Sequence, residues 1–303
     1  MLRTAATALT VLKRRGPIWP LKLLITATGC RVKGMPRGIM VEPTQGCTGH
    51  CTGCVRPEVP AVMAPTLLEE WLDSAPSKPV TVHFTGRHSD PLASPLLQEL
   101  VAAAAERCMM TSISTIGLGL TGGIAGMKVD RWIVSIPAAT EASWKPLRDR
   151  DSFDDVMDAI DTLRRRSPAM VEVVLTLWKS SERDGEAFEE LAVLNGWKRR
   201  QVVFGRYDPE GQSIGRVENL ALGHPSSPYT LSPEGRPVLV REPRGCPLAG
   251  CVFLTAGGTL LPCPFLTGDG PREDRPSEEA WRRASGWREA KDSRSFAACR
   301  FCP

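Results

Sequence analysis

The sequence predicts an α/β chain. It reads as a partial (β/α)6 barrel of the TIM type, made of parallel strands and followed by a small C-terminal region with a β-hairpin and several thiols. Three observations carry this. Strand-like and helix-like segments alternate about six times across residues 39–205. The strand-like segments are continuous apolar runs, the pattern of parallel strands covered on both faces. The ten cysteines are clustered, three at 47–54 and five at 246–302, leaving Cys30 and Cys108 alone.

The elements follow in order. A leading helix packs on the domain within residues 1–38; its apolar run Ala5 to Leu12 is broken by Lys13, Arg14, Arg15, Pro17 and Pro20. Residues 39–42 form a first strand ending at Pro43. A helix is expected over 66–74, a strand over 79–84, and a helix over 94–109 with Leu96, Leu97, Leu100, Val101 and Ala104 at helical spacing. Strands follow at 111–116 and 131–136, separated by the glycine-rich run Gly117 to Gly126. Residues 153–166 form a helix with Val156, Ile160 and Leu163 on one face. A strand over 171–177, a helix over 186–195 closed by Gly196, and a sixth strand over 201–204 complete the core, 39–206. Residues 207–245, rich in Gly, Pro and Ser, read as a linker. Residues 246–303 hold two short strands about Gly257-Gly258, a hairpin signal, then a charged helical stretch over 273–294.

Apolar residues make up 42 % and charged ones 24 %, ordinary for a globular protein, and a net charge of +4 is too slight to argue for nucleic acid. No run approaches the length of a membrane span. Ala27-Thr28-Gly29-Cys30 is a weak lipoprotein-type match in the wrong charge context, so no signal peptide is read. Clustered thiols in a chain without a secretion signal favour metal over disulfides.

Cys47-Thr48-Gly49-His50-Cys51-Thr52-Gly53-Cys54 sets three thiols at C-x3-C-x2-C. Such a loop can aim all three sulfurs at one centre. A [4Fe–4S] cube takes three thiolates on three of its irons and leaves the fourth open for chemistry. Structural zinc is the alternative, but those sites prefer paired C-x2-C units or Cys/His mixtures, and His50 is poorly set as a fourth ligand right beside Cys51. At the C-terminal end of a barrel's first strand, the loop stands where catalytic parts are expected.

This spacing directly after a strand resembles the radical S-adenosylmethionine (radical SAM) enzymes. The resemblance implies that the open iron binds the amino and carboxylate groups of SAM. An electron from the cluster then breaks a C–S bond and yields a 5′-deoxyadenosyl radical, which abstracts a substrate hydrogen. It also implies a cofactor-binding set of Gly86, Ser89, Asp90, Pro91 and Ser135. Ser89-Asp90-Pro91 stand where the family's SAM-amino segment ends, although Asp reaches one methylene less far than the usual Glu. Ser135 resembles the inward Ser of the fourth strand and is the candidate partner of the SAM carboxylate. Gly53 departs from the usual aromatic before the third Cys, so other groups must hold adenine. His83, mid-strand, reads as a satisfied core histidine. His88, Tyr207, Asp208 and Glu210, with Arg206, are weak candidates for substrate chemistry.

The tail, with Cys246, Gly258 and Cys263, resembles the auxiliary-cluster region of the SPASM/twitch subgroup. That implies one auxiliary [4Fe–4S] cluster on Cys246, Cys263, Cys299 and Cys302, with Cys251 as the alternative to Cys246 and zinc as the competing metal. A fully ligated cube moves electrons, so the leading expectation is a radical SAM oxidoreductase acting on a biosynthetic small molecule such as a secondary alcohol. The alternatives are a maturase that cross-links or epimerises a ribosomally made peptide, and a non-catalytic iron–sulfur protein. An oxygen-sensitive cluster implies the cytoplasm, with a reductant such as flavodoxin or ferredoxin as partner.

Overall fold

The computed structural model describes residues 18–49, 51, 54, 60–87, 89–148, 152–203, 221–222, 224–225, 227, 229–235, 237–240, 246, 248–266, 270–293 and 295–296. Helix α1 (Trp19–Val32) leads into β1 (Gly38–Val41). The core continues through α2 (Pro65–Asp73), β2 (Thr81–Phe84), α3 (Leu97–Arg107), β3 (Met110–Thr115), the short α4 (Gly122–Ala125), β4 (Arg131–Ile136) and the short α5 (Glu141–Trp144). It ends with α6 (Phe153–Arg166), β5 (Met170–Leu177), α7 (Gly185–Leu194) and β6 (Lys198–Val203). Strands β1 to β6 lie side by side in chain order, all parallel.

The helices cover the outer face because their apolar stripes leave them no other place. In α3, Leu97, Leu100, Val101 and Ala104 are buried at helical spacing; in α6, Val156, Ala159, Ile160 and Leu163 are. Helix α6 also sets Asp154 and Asp155 in its first turn and three arginines in its last, which suits the helix dipole. Side-chain bonds separate the two faces of the sheet. Outward, Trp132 donates to Ser167 beyond α6 and Arg199 meets Glu189 on α7. Inward, His83 bonds Ser112 and Ser114, Ser135 bonds Thr176, and Arg131 and Arg200 both meet Glu172.

Four features depart from the sequence reading. Strand β6 begins at Lys198, three residues earlier than expected. Glu172 and Glu189 supply carboxylates to its basic side chains on either face. The expected linker holds a two-stranded ribbon, β7 (Tyr229–Leu231) against β8 (Pro237–Leu239), with Tyr229 buried. The hairpin, β9 (Cys251–Leu254) and β10 (Leu260–Leu261), is not a separate layer: β9 pairs parallel with β1 and extends the sheet to eight strands. Helix α8 (Glu278–Asp292) starts at the Ser277 cap, whose hydroxyl accepts from the Ala280 N–H at 3.1 Å. Glu273, expected in that helix, instead bridges Leu260. No described helix is long and apolar enough to cross a membrane.

Candidate functional site

The cysteine loop is pinched at its base. Thr44 bridges Val62, the Gln45 N–H donates to the Ala61 carbonyl at 2.8 Å, and the Met63 N–H donates to that of Pro43 at 3.0 Å. Cys47, Cys51 and Cys54 lie within it, half-buried; His50, Thr52 and Gly53 lie outside the described residues. The Gly49 N–H donates to the Cys47 sulfur at 3.3 Å and the Arg148 guanidinium to that of Cys51 at 2.6 Å. A side chain at Gly49 would have its Cβ 2.4 Å from the Ile116 side chain and 3.1 Å from Arg148, so only glycine lets the loop approach so closely. Donors aimed at sulfur suit thiolates, and thiolates are the ligands of iron–sulfur clusters.

Glu42, at the end of β1, was not singled out in the sequence; its one signal was a carboxylate closing an apolar strand. It is 4 % exposed. One oxygen accepts from the Arg87 N–H at 3.2 Å and the Ser89 hydroxyl at 3.3 Å, the other from the Ala256 N–H at 3.4 Å. Burial pushes its pKa up, while those donors pull the other way. Glu42 thus ties the first strand to the segment after β2 and to the β9–β10 turn.

That segment holds the residues expected to bind SAM. A Cβ on Gly86 would lie 2.1 Å from the Ser89 hydroxyl, so the turn demands glycine. The Asp90 N–H donates to the Gly46 carbonyl at 3.0 Å, which docks the segment on the cysteine loop. The Asp90 carboxylate turns into the fold and accepts from the Leu92 and Ile116 N–H groups at 2.9 and 2.7 Å and from the Thr115 hydroxyl at 2.8 Å. Burial raises its pKa, against these donors. Its side chain therefore holds the segment to the end of β3, and Pro91 opens a 3-10 turn there. Ser135 faces inward, 3.1 Å from the Thr176 hydroxyl. Gly117 and Gly119 take positive φ, and Gly122 opens α4: the glycine run is a turn and a short helix. His88, Arg206, Tyr207, Asp208 and Glu210 lie outside the described residues.

The second thiol group gathers at the other end of the sheet. Cys251 opens β9 opposite Gly38, where a Cβ would lie 2.8 Å from its sulfur. The antiparallel pairing of β10 with β9 carries the chain back toward Cys263 at the same end. Cys246 precedes β9 by one turn, its carbonyl accepting from the Ala249 N–H at 3.0 Å. All three are half-buried; Cys299 and Cys302 lie outside the described residues. Burial pushes the Cys251 thiol pKa up, and the nearby Lys291 ammonium opposes this. Lys291 is 1 % exposed and donates to the carbonyls of Leu248, Cys251 and Pro262. It bolts α8 to both thiol-bearing loops. Its sequence signal was a charge on the buried stripe Ala280, Ala284, Trp287. Among the described residues no three His, Cys, Asp or Glu side chains close round a single metal ion.

No family model matches the chain. It is similar to a PqqA peptide cyclase of Streptomyces rochei, 26 % identical over 312 aligned positions, 89 % of this chain and 82 % of that one. Among solved structures it resembles Streptococcus suis SuiB bound to S-adenosylmethionine (TM-score 0.63, 13 % identity, 91 % of this chain and 75 % of that). It also resembles anSMEcpe with bound AdoMet (TM-score 0.62, 14 % identity, 86 % of this chain and 83 % of that). The order of the six parallel strands, the pinched C-x3-C-x2-C loop at the end of the first and these likenesses agree: the chain has the fold of the radical SAM enzymes.

Proposed function

We propose that the chain is a radical SAM enzyme that modifies a ribosomally made peptide. One observation carries the reading: a C-x3-C-x2-C loop, clamped at the C-terminal end of β1 beside the Gly86–Pro91 segment, in a chain whose likeness to a PqqA peptide cyclase runs over nearly its whole length. Solved relatives of the same fold also hold peptides, SuiB its precursor peptide SuiA and anSMEcpe the peptide Cp18Cys. The expected small-molecule alcohol gives way to a peptide on this balance.

Cys47, Cys51 and Cys54 would hold the [4Fe–4S] cluster, which when bound supplies the electron for reductive cleavage of SAM. The protein's own part is positioning. Glu42, Gly46 and Thr115 fix the Gly86–Pro91 backbone beside the loop, leaving backbone carbonyls there to accept from the SAM amino group. The inward Ser135 hydroxyl is set to meet the SAM carboxylate. Cys246, Cys263, Cys299 and Cys302, with Cys251 as the alternative, would hold an auxiliary cluster. Strands β1 and β9 are four residues long, so the two thiol groups are separated by at least about 10 Å of strand. The inner face between them, with Ser135, Thr176 and the neutral His83, receives the substrate. A reductant such as flavodoxin or ferredoxin, in the cytoplasm, completes this reading.

The test is anaerobic reconstitution with iron and sulfide, then addition of dithionite and SAM. Release of 5′-deoxyadenosine, lost in Cys51→Ala, is the expected result. No release would overturn the enzyme reading in favour of a non-catalytic iron–sulfur protein. Co-expression with short reading frames neighbouring its gene should yield a peptide lighter by two hydrogens or with an inverted centre. Peptides of unchanged mass and stereochemistry would return the substrate to the small-molecule class.

A further inference from the structure

We propose that Arg148 is a positioning residue for the iron–sulfur cluster of Cys47, Cys51 and Cys54, a fixed positive charge that favours the reduced cluster. The inference rests on the radical SAM reading above. Arg148 follows α5, 97 residues beyond Cys51, yet the two backbones form an antiparallel bridge. Its guanidinium donates to the Cys51 sulfur at 2.6 Å and lies over the Trp144 ring at 5.6 Å from the centroid. That ring is itself fixed. Trp144 is 1 % exposed, donates to the Ser152 hydroxyl at 3.3 Å and packs edge-on against Phe153 at 5.4 Å. The arginine is therefore clamped between an aromatic face and a cluster ligand.

The side chain is 7 % exposed, and its Nε–H is buried with no hydrogen-bond partner among the described residues. A guanidinium is always charged and ordinarily fills its donors with a carboxylate. Among the described residues, a carboxylate close enough to feel this charge is Asp90, and its oxygens already accept from Thr115, Leu92 and Ile116. The charge is therefore left bearing on the sulfur. Reduction adds one electron, so the cluster becomes one unit more negative. A cation fixed at a ligand sulfur, shielded from water, attracts the reduced form more strongly than the oxidised one. Charge and hydrogen bonds to sulfur are among the levers that set cluster potentials. A residue that merely braced the loop would change cluster loading and leave the potential alone.

The experiment is a potentiometric titration of the anaerobically reconstituted full chain. It follows by electron paramagnetic resonance the reduced-cluster signal that changes when SAM is added. Arg148→Met is expected to shift the reduction equilibrium at least tenfold toward the oxidised form, 59 mV for this one-electron couple, and Arg148→Lys by less. An Arg148→Met potential equal to wild type, at equal iron and sulfide content, overturns the proposal. Should Arg148→Met not take up iron, the neutral Arg148→Gln is compared with the charged Arg148→Lys. The proposal predicts the lower potential for Gln, and equal potentials overturn it. Absence of any SAM-responsive signal from wild type would instead overturn the radical SAM reading itself.

Discussion

Glu42 sits where three parts of the chain meet, and both of its oxygens are used. Removing it leaves the Arg87 and Ala256 N–H groups without their acceptor. Glu42→Ala is expected to cost about 2–3 kcal/mol, since each buried donor left unpaired costs about 1–3 kcal/mol; urea denaturation reads this. Glu42→Gln keeps one oxygen and should fall between the two. His83 supports a second prediction. Burial, then the charge of Arg131, lowers its pKa from 6.5 to about 4, and serine hydroxyls meet both ring nitrogens. The folded chain keeps the ring neutral while the unfolded chain takes up a proton below about pH 6.5. Stability therefore falls as pH drops from about 6.5 to about 4, by about 2 kcal/mol between pH 7 and pH 5. His83→Gln, which keeps a donor and an acceptor, should remove that part of the slope; an unchanged slope would assign it to other groups.

At the scale of elements, the β9–β10 turn depends on Gly258. Its φ is +88°, and a Cβ would lie 2.9 Å from the Leu67 side chain on α2. Its carbonyl accepts from the Trp71 indole at 3.0 Å, and Trp71 packs edge-on against Trp281 of α8 at 5.6 Å. One turn thus joins the hairpin to two helices. Gly258→Ala combines backbone strain with a clash and is expected to cost about 1–3 kcal/mol, seen as a lower melting temperature. A melting temperature unchanged from wild type would mean that the turn can shift without loss.

For the whole molecule, the eight-stranded sheet sets two thiol groups at opposite ends of one inner face. If both hold clusters, Cys263→Ala should lower iron by about four atoms per chain and keep the SAM-responsive signal, while Cys51→Ala should do the reverse. Loss of both sets of iron in either variant would point to a single shared centre or to misfolding, which circular dichroism separates.

The core elements were legible because their causes are local. Apolar runs and helical spacing mark β1 to β5, α2, α3, α6 and α7 within a few residues, and C-x3-C-x2-C marks its own chemistry by spacing alone. The inward Ser135 followed from the resemblance of its strand to the family's fourth. Nothing local announced that β9 joins β1, across more than 200 residues, or that Arg148 reaches Cys51. Nor did the chain reveal that Asp90 turns its carboxylate into β3, or that Lys291 ends among three carbonyls. These partners are distant in sequence. Sequence alone determined the parallel sheet and the thiol motif, because periodicity and ligand spacing are short-range. Tertiary structure decided which charges meet the thiols and where the hairpin docks, because both depend on segments brought together only when the sheet closes its hydrogen bonds.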